Sequence, residues 1–166
     1  MSDLNGGGRA KFAAAVAECR LHATVLADDR GRLPMSFSAD QMSALDVEDR
    51  RSLDQAAYRF MKLQDSLGEK VPPGILALTL EPLPPEATFA EKLQRLERLG
   101  VQPPVQSWRL LREVRNSLAR EYAENPALQA AALTRFMIGL SDLLCPWASV
   151  ESYIARHLGI SAAGAP

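Results

Sequence analysis

Arginines recur between positions 108 and 122 at a spacing suited to holding phosphate. At about 100° per residue, Arg115 falls in the middle of an apolar helical stripe formed by Trp108, Leu111, Leu118 and Tyr122. Arg109, Asn116 and Arg120 fall together on an adjacent face, with Arg112 between the two. A guanidinium cannot be neutralised near physiological pH, so burying Arg115 requires acceptors close by. Forked donors in a row beside a phenol suit phosphate oxygens, which accept two N–H groups at once. The same pattern also serves a plainer purpose: Arg115 paired with an Asp or Glu of a neighbouring helix fastens a bundle. The residues leave both uses open. Other chemistry is poorly supplied, with no G-x-S-x-G elbow, Walker A loop, H-E-x-x-H or Cys/His metal spacing. His22 and His157 are the only histidines and lie far apart in sequence. No metal and no cofactor is therefore expected.

The elements that must position these arginines read as helices. Phe12, Val16, Cys19 or Ala23, and Leu26 give the first helix over about 9–27. The run from Asp28 to Arg32 is expected to interrupt it, with a short hairpin through 24–26 and 33–35 as the alternative. Ser38 and Gln41 have capping-box form ahead of a short helix containing Met42 and Leu45. Asp46 then caps a helix to Leu67, with Leu53, Ala57, Phe60, Gln64 and Leu67 on one stripe and Gly68 as its C′ residue. Residues 71–87 hold Pro72, Pro73, Pro82, Pro84 and Pro85 and read as loop, broken by an apolar turn or two from Ile75 to Leu80. Thr88 and Glu91 form a second capping box for a helix through Leu93, Leu96 and Leu99, closed by Gly100. Pro103 and Pro104 precede the arginine-bearing helix, which runs over 104–122. Asn125 and Pro126 open a helix to Leu144 that is apolar on most sides and so is expected at the centre. Cys145 and Pro146 should end it, with a short last helix from Ser149 to His157. The expected fold is all-α, an antiparallel up-and-down bundle. Its parts are a flexible leader over 1–8, the bundle over 9–144, and a short helix with a frayed tail over 145–166.

Three ordered segments carry a resemblance. Arg115-Asn116-Ser117-Leu118-Ala119-Arg120-Glu121-Tyr122 resembles the R-N-x-x-A-H-x-Y signature of HEPN domains. Tyr58-Arg59-Phe60-Met61-Lys62-Leu63-Gln64-Asp65-Ser66-Leu67-Gly68 is similar to a helix pattern of one branch, the small bacterial proteins paired with a minimal nucleotidyltransferase. The Thr88–Gly100 helix has its counterpart there, and the resemblance spans roughly residues 9–144. It implies a homodimer in which the Arg and His of two protomers line an RNA-cleaving cleft. Arg115 and Asn116 match the signature, but Arg120 stands where the family has its His. Arginine stays protonated and cannot act as a general base, so the usual RNase route lacks its proton carrier. Phosphate binding by Arg109, Arg112, Arg115 and Arg120 gains a guanidinium from the same replacement. In the paired systems the partner transfers AMP to the tyrosine two positions after the His, a place Tyr122 occupies.

Charge and composition set bounds on these readings. Nineteen Lys+Arg against twenty Asp+Glu leave a net charge of −1, so any basic cleft is local. No run of about eighteen consecutive apolar residues suggests a membrane span, and residues 1–8 lack the form of a signal peptide. Cys19 and Cys145 read as buried free thiols of a cytoplasmic protein. The resemblance implies a nucleotide- or phosphate-binding partner of a minimal nucleotidyltransferase, in a toxin–antitoxin-like pair. The alternatives are an active ribonuclease toxin, or an unrelated helical adaptor in which Arg115 is a structural ion pair. A homodimer with the 104–122 helices near the two-fold axis is expected, because an apolar stripe bearing Arg115 and Tyr122 asks for cover.

Overall fold

The computed structural model describes residues 3–79, 83–101, 105–118 and 125–161. It is mostly helical, with no strand among the described residues. In chain order the helices are α1 (Asp3–Arg32), α2 (Ala39–Ala44), α3 (Val47–Glu69), α4 (Val71–Leu78), α5 (Phe89–Arg98), α6 (Val105–Leu118) and α7 (Pro126–Tyr153). A π-helical turn over Ile154–Leu158 follows directly.

Helix starts lie where local chemistry puts them. The Ser38 hydroxyl accepts from the Gln41 amide while the Gln41 side chain accepts from Ser38 N–H, opening α2. Asp46 accepts from Asp49 N–H at 2.8 Å ahead of α3, and Asn125 accepts from Leu128 N–H with Pro126 in the first turn of α7. The α5 end is a full Schellman motif. Gly100, at φ +77°, donates to Glu97, and Val101 N–H donates to Leu96 C=O.

Four boundaries differ from expectation, three of them because of packing. No break or hairpin occurs at Asp28–Arg32. The helix continues because Asp29 is buried with Gln55 of α3 beside its carboxylate, Leu26 and Leu33 enter the core, and Arg32 pairs with Asp28. Residues 3–8, expected in a leader, lie in the first turns of α1. Val71–Leu78 is helix rather than loop, since Pro72 and Pro73 occupy a first turn whose N–H groups have no partner anyway. Gly74 lets the Phe12 ring lie directly on that helix, where a side chain would collide. Finally, α7 passes through Pro146 instead of ending at Cys145. An interior proline costs about 3 kcal/mol, whereas each large buried apolar side chain contributes about 1.5–3 kcal/mol. Trp147, Val150, Tyr153 and Ile154 beyond it are all buried, so burial wins.

α1 and α3 pack along each other, and α7 touches α1, α2, α3 and α6. Phe60 of α3 and Phe136 of α7 meet edge to face at 5.4 Å, both fully buried. By length and composition Pro126–Leu158 could cross a membrane, contrary to the expectation that no segment could. Its apolar residues Phe136, Met137, Leu140 and Leu143 are instead fully buried in this core. Arg9 and Arg20 of α1 donate to the carbonyls of Leu158, Ile160 and Ser161, and Arg20 pairs with Glu151, which fastens the end of the described chain to α1.

Candidate functional site: an aromatic and basic groove

Trp108, Arg112 and Arg115 recur on α6 at helical spacing, so they share a face. That face meets Gln64, Asp65, Gly68 and Glu69 of α3 and Phe89 and Lys92 of α5 around a groove of about 380 Å³. Each helix contributes for a local reason. The Thr88–Glu91 capping box starts α5 so that Phe89 and Lys92, one turn apart, face inward. Gly68 does not end α3, as its position suggested, because the helix runs on to Glu69. Its role is close approach: a Cβ there would stand 2.9 Å from Trp108 Cζ2. The indole fills that space and tilts 43° against Phe89, with ring centroids 5.4 Å apart.

Arg115 donates to Asp65 Oδ1 at 2.5 Å. It is not buried within the apolar stripe as expected. Trp108 and Leu111 are buried, but the Arg115 side chain is 41% and Asp65 39% exposed, at the groove's rim. That exposure decides how much the pair is worth. A half-solvated ion pair contributes about 0–1 kcal/mol, so Asp65 holds Arg115 in place without bolting the bundle together. A stronger acceptor can displace the carboxylate at small cost. Lys92, Arg112 and Arg115 outnumber Asp65 and Glu69 in the groove. Gln64 forms part of the wall; it is buried, and among the described residues its Oε1 receives no hydrogen bond. A buried acceptor left open in this way costs about 1–3 kcal/mol.

Of the sequence-chosen residues, the structure brings Arg112 and Arg115 together. Arg109 and Asn116 are exposed on α6 and do not line the groove. Arg120 and Tyr122 lie outside the described residues, as do the side chain of Leu118 and hence the far end of the proposed stripe. Sequence reasoning missed Asp65, Phe89 and Lys92 as groove residues. Gln64 carried a signal that went unused, a polar amide on the otherwise apolar stripe of α3.

The histidines stand apart from the groove. His157 is exposed and stacks near Tyr153 at 4.6 Å between centroids. His22 is buried between α1 and α3, with Nδ1 3.2 Å from an Arg59 nitrogen and Nε2 3.6 Å from Glu18. Arg59 can only donate, so Nδ1 accepts and the ring proton sits on Nε2, facing Glu18. Burial first, and then the Arg59 charge, hold the imidazole below its usual range against the opposing pull of Glu18. An unfolded chain then takes up this proton at a higher pH than the folded one. The stability His22 contributes is intact above about pH 6.5 and is lost as pH falls from there through its folded value. Urea denaturation between neutral and mildly acidic pH should show that decline, and His22→Asn should flatten it. An unchanged slope in the variant would remove His22 as the cause.

Both thiols remain free. Cys19 is buried and pushed up to about 12 by desolvation, so it is inert, whereas Cys145, expected to be buried, is exposed on α7. Nothing among family models, curated proteins or solved structures matches this chain.

Proposed function

We propose that this chain is a HEPN-like antiparallel bundle that binds the phosphate of a nucleotide or RNA in the α3–α5–α6 groove. In this reading it is the cytoplasmic companion of a minimal nucleotidyltransferase, and Tyr122 accepts AMP from that partner. The chain lacks the usual ribonuclease activity, because Arg120 replaces the proton-carrying His of the signature. The observation that carries the reading is the convergence of Lys92, Arg112 and Arg115 beside Trp108 and Phe89. Cations there meet the phosphate oxygens, and the aromatic pair offers a ring face to a base.

The competing use of Arg115, as a structural ion pair, makes opposite demands on Asp65. If Asp65 only parks the guanidinium, Asp65→Asn frees it and binding of AMP tightens several-fold. Arg115→Ala should weaken that binding about tenfold, the size of one charge-assisted hydrogen bond. Both variants should lose no more than about 1 kcal/mol of stability. Fluorescence titration and urea denaturation on the same samples read both quantities. Loss of several kcal/mol with unaltered AMP binding would award Arg115 to the scaffold.

A further inference from the structure

An amide stands on α3 where packing asks for a hydrocarbon. Gln64 shares its face of the helix with Leu53, Phe60 and Leu67, and it is only 3% exposed. Its Oε1 is buried without a hydrogen-bond partner among the described residues. A methionine would fill the same space and leave no acceptor open, so packing alone does not account for the amide. The side chain does border the groove. Gly68, one turn along α3, seats the Trp108 indole, and Asp65, the next residue, holds Arg115. One turn is about 5.4 Å, so Gln64 lies within a single nucleotide's span of both the aromatic pair and the cations.

We propose that Gln64 binds the base of the nucleotide, accepting a hydrogen bond from an N–H on the base edge. The groove then selects nucleotides over other phosphate esters. This rests on the reading of the groove as a phosphate site, and it adds what recognises the rest of the ligand. An open carbonyl oxygen calls for an N–H donor. Phosphate, ribose ring and aromatic stacking supply none, whereas the 6-amino group of adenine supplies two. The terminal torsion of a glutamine amide is broad and roughly two-fold, so the carbonyl can turn to a donor that arrives in the groove. Phe89 is partly buried and keeps some of its ring open, against which the base can lie while its edge meets the amide. Arg112, Arg115 and Lys92 take the phosphate at the other end. Binding thus satisfies an acceptor that folding leaves open, a gain that bare phosphate cannot provide.

Titration of the full chain with AMP and with purine riboside 5′-monophosphate tests it, because the second ligand lacks only the 6-amino group. Wild type should bind the analogue about tenfold more weakly than AMP, the effect of one unmade hydrogen bond. Gln64→Met, close in volume and unable to accept, should bring AMP down to the level of the analogue. The same variant should leave the analogue's own affinity unchanged, so the two losses should not add. Urea denaturation of Gln64→Met should give an equal or higher midpoint, since the variant removes a buried open acceptor. A scaffold role for the amide predicts a lower one. Equal affinity of wild type for AMP and the analogue would overturn the proposal and leave the phosphate reading intact. So would a Gln64→Met chain that still prefers AMP tenfold, or one whose midpoint falls while its ligand affinities hold. Failure of wild type to bind either ligand would overturn the phosphate reading and this proposal with it.

Discussion

Wild type is expected to show little or no ribonuclease activity, and Arg120→His is expected to create or raise it. The substitution restores the one signature residue missing from the Arg115–Tyr122 segment, which is also the only residue there able to exchange a proton near neutral pH. A positioned general acid–base group typically contributes about 10²–10⁴-fold, large enough to detect against a weak background. The new activity should require Arg115, whose guanidinium would hold the phosphate while the imidazole moves the proton. Neither native histidine substitutes for it. His22 is buried between α1 and α3, and His157 lies beyond α7, away from the groove. Cleavage of a labelled RNA by wild type, abolished by Arg120→Ala, would make the chain an enzyme in its own right and overturn this part of the reading.

Phe136→Ala should cost about 3–5 kcal/mol and leave the chain close to unfolding. Phe136 is fully buried on α7 and contacts Phe60 edge to face, so the truncation opens a cavity and removes an aromatic pair. Ile138→Ala, two residues along the same helix, should cost far less, because that side chain is half exposed in the single chain. Chemical denaturation of the two variants measures the difference. Equal losses would mean that α7 presents a different face to α3.

The contrast between those neighbours shows what the sequence could and could not reveal. α7 reads as central because it is apolar on most sides, yet the pattern does not separate Phe136, which faces the core, from Ile138 and Leu128, which do not. Helix starts were legible because a cap is a contact over three residues, as Ser38 with Gln41, Thr88 with Glu91 and Asn125 with Leu128 illustrate. Helix continuations were not, because distant partners decide them. Asp29 and Gln55 carry α1 past an acidic, glycine-containing run, and buried Trp147 and Val150 carry α7 past Pro146. Gly68 shows the same limit: a helix-ending residue by position, it is an indole seat by contact. The site was half legible. Arg112 and Arg115 share a helical face, so their proximity follows from spacing alone. Asp65, Phe89 and Lys92 arrive from other helices, and the sequence held no local mark of their meeting.

Calorimetric titration of the wild-type chain with AMP, alongside adenosine and at two salt concentrations, tests the proposed phosphate-binding role of the groove most directly. If Lys92, Arg112 and Arg115 act on the phosphate, AMP should bind saturably while adenosine binds far more weakly. Raising the salt should weaken AMP binding, as expected where cations hold the anion. Absence of AMP binding, or equal binding of adenosine that ignores salt, would contradict the assignment.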